Sequence, residues 1–306
     1  MSGARGTASA KVILLGEHTV VYGEPAIAAA VDLDLHATLR PRRAGDGPLE
    51  DPQLRAAVEA ALRPFRAAAG DWTAEIDSEI PIACGLGSSA ALSVALVRAC
   101  AVAFGEELDE ADVITRATQV ENVFHGTSSG IDVATSASGS VIWFERGAAV
   151  PVRPLAVGAP LDLVVALSGE QRSTAEPVAR LRARFVTHPG LYRQLFALAG
   201  NFSHAGRGAL ATGDFETLGH LMDCAQGVLN GLGVSTPTLE RLVAVARRAG
   251  ALGAKLTGAG GGGAAIALAP ENAPEVAAAL QEEGFESFVT RIDAPVTEEV
   301  CDAIAC

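Results

Sequence analysis

The chain has 306 residues and a formal net charge of −13, which excludes the clustered Lys and Arg surfaces that nucleic acid and anionic membranes require. Hydrophobic residues make up 49% and aromatics 5%, a globular profile with cores of Val, Leu and Ala, and the length exceeds the roughly 250 residues at which single cores stop growing. Two lobes are therefore expected, and any positive field for an anionic ligand has to be local.

Cys84, Cys100, Cys224, Cys301 and Cys306 are scattered without a C-x-x-C pair, a pattern of thiols in a reducing compartment rather than of a disulfide framework or zinc site. The apolar run Val12 to Leu15 is too short for a signal-peptide core and is cut by Gly16-Glu17-His18. The longest apolar segment, Ala90 to Phe104, contains Arg98 and falls short of the ~20 residues that span a bilayer. A cytoplasmic protein with no membrane partner is the expectation.

Along the chain, residues 8–15 are β-prone and 16–23 turn. Val31 to Leu39 alternates apolar and polar, as a half-buried antiparallel strand does, with His36 on the polar face beside Asp32 and Asp34. After a loop at 41–52, a helix over 52–69 and a strand over 72–80 lead into Pro81-Ile82-Ala83-Cys84-Gly85-Leu86-Gly87-Ser88-Ser89-Ala90-Ala91. In that stretch Pro81 restricts the backbone, the glycines permit a tight bend, and Ser88 or Ser89 is a preferred N-cap for the next helix. Unpaired amides and the dipole at that helix start suit a phosphate, although a bare strand-to-helix turn has the same pattern.

The helix that follows is apolar nearly all round to Phe104, with Gly105 as its C-cap, which implies burial on several sides. A second helix, from about Asp109 to Gly126, carries the stripe Val113, Ala117, Val120 and Phe124. Glu121 falls at the edge of that stripe, where a carboxylate is expensive unless it meets a cation or reaches water. A small-residue bend from Thr127 to Asp132 precedes strands at 141–144 and 161–167. The second lobe, from about 165, has helices over 174–187, 190–211, 215–232 with Asp214 as N-cap, and 236–249 with Ser235 as N-cap. A strand, the run Gly258-Ala259-Gly260-Gly261-Gly262-Gly263 and a second strand occupy 255–268, and a helix over 273–283 and a strand over 285–292 close the lobe.

Gly85-x-Gly87-x-x-Ala90 and Gly258-x-Gly260-x-x-Gly263 match the dinucleotide-binding spacing only formally. The first lacks the acid at the end of a following strand, and the second runs into a strand instead of a helix. No Walker loop and no protein-kinase motif set occurs. What remains is a helix start for an anion, a hydroxyl and a carboxylate able to hold Mg²⁺ (Ser89 and Glu121), a lysine, and an aspartate in a bend. Those are parts for phosphoryl transfer, which needs positioning and charge neutralisation above all. They point to a Mg-ATP-dependent kinase of a small molecule.

Three ordered stretches, Lys11 to Gly23, Pro81 to Ala91 and Lys255 to Gly263, resemble the motifs of the GHMP kinase superfamily. Glu121 through Asp132, and Asn230 through Ser235, resemble the mevalonate kinases more than their cousins, and in length the chain resembles the compact bacterial and archaeal ones. The resemblance implies an α+β, two-lobe GHMP kinase fold: an N-terminal lobe like ribosomal protein S5 domain 2 over 1–165, and a C-terminal ferredoxin-like lobe over 166–306. It implies that Pro81, Gly85, Leu86, Gly87, Ser88, Ser89 and Ala90 bind ATP, and that Ser89 and Glu121 hold Mg²⁺. Asp132 would accept the proton of the substrate's primary hydroxyl while Lys11 keeps it ionised and offsets charge on the transferring group. Glu17, His18, Arg172, Thr174, Gly258, Ala259 and Gly260 would serve the acceptor, Arg172 meeting a carboxylate. ATP and mevalonate are the implied partners, in the mevalonate route to isoprenoids, with a homodimer left open. Thr127-Ser128, Val133 and Gly139-Ser140 depart from the usual Asn-Pro, Asn and Gly-Gly, and Val133 puts substrate choice in question. A kinase of phosphomevalonate, homoserine or a sugar, and a catalytically dead binding protein of the same fold, are the alternatives.

Overall fold

A computed structural model describes residues 3–82, 84–125, 129–170 and 175–292. Arg172 and Thr174 lie outside the described residues. The chain divides into two compact units that interleave along the sequence, where two consecutive lobes are the sequence expectation. One takes in the described residues up to Lys11, Ala30–Ile82 and Leu86–Gly139, and the other Val12–Ala29, the short stretch just before Leu86, and the residues from Ser140 onward. The interleaving arises because strands β1 (Ala4–Leu15) and β2 (Ala26–Pro41) each divide between the units, at Lys11/Val12 and at Ala29/Ala30.

In the first unit, α1 (Pro52–Leu62) starts where the Asp51 carboxylate accepts from the amides of Gln53 and Leu54. It ends seven residues before the expected Ala69, since Pro64 sits in a 3₁₀ turn over Arg63–Phe65 and Arg66 takes a φ of 54°. Strand β3 (Trp72–Ser78) pairs antiparallel with β2, from Leu35 opposite Ser78 to Pro41 opposite Trp72. His36, expected on a solvated face, is half-buried with Nδ1 2.9 Å from Thr7 Oγ1.

Helices α2 (Ser88–Phe104), α3 (Glu110–His125) and α4 (Ile131–Ser138) complete that unit. Helix α4, which begins within the last residues of the expected bend and continues to Ser138, is enclosed between Gly130 at φ 89° and Gly139 at φ 62°. Its eight residues are too few, and too rich in Val, Thr and Ser, to announce a helix by propensity. The small residues of α2 allow β1 to lie against its backbone. A Cβ on Gly6 would be 2.1 Å from the Ala95 carbonyl oxygen. Arg98 fastens the same layer by donating at 2.7 Å to the carbonyls of Thr7 and Ala137.

In the second unit, β4 (Val141–Phe144) pairs antiparallel with the start of β2, from Ala26 to Ala29, and β5 (Val152–Pro154) with β4. Strand β6 (Leu161–Leu167) is followed by helices α5 (Ala175–Thr187), α6 (Pro189–Thr212), α7 (Phe215–Leu232) and α8 (Pro237–Arg248). Then come β7 (Gly253–Thr257), β8 (Ala264–Leu268), α9 (Ala273–Glu282) and β9 (Ser287–Ile292). The four strands lie in the order β7-β8-β6-β9, all antiparallel, which is the ferredoxin-like arrangement of a split βαβ pair. Leu239, Leu242, Leu256, Val276 and Leu280 form the middle of the core between helices and sheet.

Asp214 caps α7 as expected, through the amide of Thr217 at 3.0 Å. The cap of α8 is Thr236 and not Ser235. Pro237 opens the helix, Thr236 Oγ1 accepts from the amide of Leu239, and Ser235 Oγ accepts instead from Gln226 Nε2 at 3.2 Å. Among the described residues no helix is long and apolar enough to cross a membrane.

The contact at Gly6 gives a packing test. Gly6→Ala forces a methyl against backbone that cannot turn aside, and overpacking of this kind costs about 1–3 kcal/mol. The urea midpoint should fall accordingly, and an unchanged midpoint would mean that β1 and α2 are not in this register.

Candidate active site

In the first unit, α2 begins at Ser88, with Gly87 in the N-cap position at φ 80° and ψ 29° and no side chain capping the helix. The expected serine cap is therefore absent. The left-handed bend belongs to a glycine, and Ser89 turns its hydroxyl to Glu121 Oε1 at 2.8 Å. Because the N-cap is a glycine, no N-cap side chain covers the first turn, where the positive end of a long helix lies. Gly85 bends at φ 87°, and buried Leu86 accepts from the Lys11 amide at 2.9 Å, which pins the glycine loop to β1. Pro81 is half-buried at the loop's entrance and Ala90 is buried in the first turn.

The Lys11 side chain runs along the loop. A Cβ on Gly87 would come within 2.8 Å of Lys11 Cγ and 2.9 Å of Cε, so only glycine leaves room for the stem. Lys11 Nζ ends 2.9 Å from Asp132 Oδ1, with the lysine 2% exposed and the aspartate 35%. Asp132 stands in the first turn of α4, the helix that sequence reading missed. Val133, the departure that raised a question over substrate choice, is fully buried and faces the core.

Glu121 is 2% exposed. Its Oε1 accepts from Ser89, and its Oε2 accepts from Ser93 Oγ at 3.1 Å. Two serine hydroxyls thus donate to the carboxylate that the sequence places at the edge of a buried stripe. Ser93 was missed there, although its spacing of four from Ser89 on an otherwise apolar helix was a signal. Burial pushes the Glu121 carboxyl up to about 7. The Ser89 hydrogen bond opposes this, Asp132 adds to it, and Ser93 and Lys11 oppose it more weakly.

The second unit holds another constellation. His18 has φ 63° and ψ −42°, and the Thr19 amide donates to the Glu17 carbonyl at 2.7 Å. That is a three-residue γ-turn of the rare positive-φ kind, and a non-glycine residue so placed stores about 1–3 kcal/mol of strain. His18 Nε2 lies 3.0 Å from the Ala259 carbonyl oxygen, and because a carbonyl only accepts, Nε2 carries the proton. Glu17 is buried against the Lys255 ammonium, which sequence reading left without a role. Lys255 Nζ also donates to the carbonyls of Leu256 at 2.7 Å and Ile13 at 3.3 Å.

The Ala259 carbonyl belongs to a loop in which Gly258, Gly260, Gly261, Gly262 and Gly263 all have positive φ. A Cβ on Gly260 would meet the Val234 carbonyl oxygen at 2.1 Å, so the loop is closed to larger residues. The structure thus assembles Lys11, Gly87, Ser89, Glu121 and Asp132 in one unit, and Glu17, His18 and Ala259 in the other.

A carboxyl raised to about 7 from its ordinary 4.5 keeps in the folded state a proton that the unfolded chain has released. Stability therefore falls as pH rises through that window and levels off above it. Glu121→Gln removes the dependence. In EDTA, its Tm relative to the unmodified chain should climb between pH 4.5 and 7, and a difference independent of pH would contradict the burial assigned to Glu121.

Residues 54–140 match the N-terminal domain of the GHMP kinases, and residues 207–286 match their C-terminal domain. The mevalonate kinase of Thermococcus sibiricus is 36% identical over 94% of this chain and 95% of its own. That of Aeropyrum pernix is 35% identical over 98% and 96%. Among solved structures, L. major mevalonate kinase in complex with R-mevalonate superposes with a TM-score of 0.86 at 27% identity, over 96% of this chain and 97% of that one. Methanococcus jannaschii mevalonate kinase gives 0.81 at 25% identity, over 95% and 98%. Near-full coverage at this identity, on a chain with both superfamily domains in order, means that it belongs to the mevalonate kinase family of the GHMP kinases.

Proposed function

We propose that the protein transfers the γ-phosphoryl group of Mg-ATP to the primary hydroxyl of (R)-mevalonate, giving 5-phosphomevalonate. The observation that carries this reading is the Lys11–Asp132 pair, 2.9 Å apart, in the same unit as the glycine-capped start of α2. The lobe over 1–165 is assigned to ATP, and that over 166–306 is the C-terminal GHMP kinase lobe.

The amides at the start of α2, with Gly85 and Gly87 as the bends that admit them, bind the nucleotide phosphates. Ser89 and Glu121 fit a hard divalent cation, since both offer oxygen and a buried carboxylate gains from a cation beside it. Mg²⁺ held there would offset charge on the phosphate oxygens. Ser93 keeps Glu121 in place through Oε2. Lys11 holds Asp132 by Oδ1, so that Oδ2 takes the proton as the substrate hydroxyl attacks. The Lys11 charge also balances the transferring group, which is stabilised mainly by position and electrostatics.

For the acceptor we assign the Glu17–His18 turn and the backbone of Gly258, Ala259 and Gly260. From sequence alone, Arg172 would meet the carboxylate and Thr174 the hydroxyl. Cys84, Cys100 and Cys224 are thiols, not disulfides, which supports a reducing, cytoplasmic setting.

A coupled ADP assay over (R)-mevalonate, phosphomevalonate, homoserine and galactose tests the assignment. The highest kcat/KM is expected for (R)-mevalonate, and faster turnover of any of the other three would overturn it.

A further inference from the structure

We infer that the buried Lys255–Glu17 ion pair is a positioning device, which holds His18 in its strained turn for the acceptor, and that Glu17 itself does not touch the acceptor. The inference rests on the assignment of that turn to the acceptor.

Glu17 is 2% exposed and Lys255 0%, so the carboxylate faces an ammonium inside the fold. A buried ion pair is weak evidence for stability, because the cost of desolvating both ions offsets much of their attraction. Its geometric effect is another matter. Lys255 lies in β7 and its ammonium takes two backbone carbonyls as well as Glu17, one of them from Ile13 in β1. Beside it, Thr257 Oγ1 accepts from the Ile13 amide at 2.8 Å. The end of β1 and the residue before His18 are thereby fixed to the strand that leads into the glycine loop.

A non-glycine residue in a positive-φ turn persists only where its surroundings over-determine it. Around His18 those restraints include the Thr19-to-Glu17 and Val21-to-His18 backbone bonds, the Glu17–Lys255 pair, and the imidazole bond to Ala259. The ion pair restrains the turn from inside and the Ala259 carbonyl orients the ring. Loss of either charge loosens the turn without altering the nucleotide site, since Lys11, Gly87, Ser89, Glu121 and Asp132 have other partners.

The test compares K255M, E17Q, K255M/E17Q, H18A and H18A/K255M by Tm, by the Kd of a non-hydrolysable Mg-ATP analogue, and by steady-state kinetics with (R)-mevalonate. Each single variant should raise the KM for mevalonate about 10-fold to 100-fold, the order expected from misplacing a binding group by an ångström. The analogue's Kd should not change. K255M/E17Q buries no charge, so it should recover Tm and most of the mevalonate KM relative to either single variant of the pair, and K255M should add little to H18A because both act through one group. If K255M does not fold, the recovery of K255M/E17Q relative to E17Q, and the KM of H18A, still decide. A double variant with Tm restored and KM as poor as E17Q would show that Glu17 contacts the acceptor, overturning the inference alone. A KM unmoved by H18A would overturn the acceptor assignment, and the inference with it.

Discussion

The contact on which the first unit depends is the ion pair between Lys11 and Asp132. Lys11 is 2% exposed, and a lysine so buried stands only if its stem is packed and its charge is matched. Gly87 supplies the packing, by having no side chain where the stem lies, and Leu86 ties the lysine's amide to the loop. Asp132 supplies the charge from the first turn of α4, while remaining 35% exposed. The pair is thus closed on the lysine side and open on the aspartate side. That asymmetry suits a base that must meet a substrate while its partner stays fixed.

The same contact reconciles a net charge of −13 with a phosphate ligand. On the proposed assignment the positive field comes from backbone amides and the buried Lys11 ammonium and needs no basic surface. Glu121 stands in that field as a buried carboxylate held by two serine hydroxyls. A divalent cation shared with nucleotide oxygens would complete its environment. The second unit solves a different problem: five glycines at positive φ and a strained His18 bring backbone atoms and an imidazole close together, with a buried ion pair beneath.

Much of this was legible in the sequence. Alternation found the second part of β2, the strands expected at 141–144 and 161–167 are β4 and β6, and α7 lies where Asp214 as N-cap placed it. Lys11, Ser89, Glu121 and Asp132 stood out because charged or hydroxyl groups beside glycine bends and buried faces need a reason. The failures have physical causes. Helix α4 was too short to show a period, and Pro64 and Arg66 broke α1 where apolar periodicity continued. The caps of α2 and α8 went elsewhere because a distant carboxylate took the Ser89 hydroxyl and Gln226 took that of Ser235. Lys255 was passed over because its partner Glu17 is far away in sequence, and no local pattern encodes a pair of that kind.

The central claim is that Asp132, held by Lys11, is the group that receives the acceptor's proton. Asp132→Asn keeps the size of the side chain and a contact for Lys11 but cannot take that proton. Single-turnover and steady-state kinetics with Mg-ATP and (R)-mevalonate, beside nucleotide titrations, read the claim directly. The account predicts a kcat lower by about 10²-fold or more with nucleotide affinity unchanged. A kcat close to that of the unmodified enzyme would contradict it.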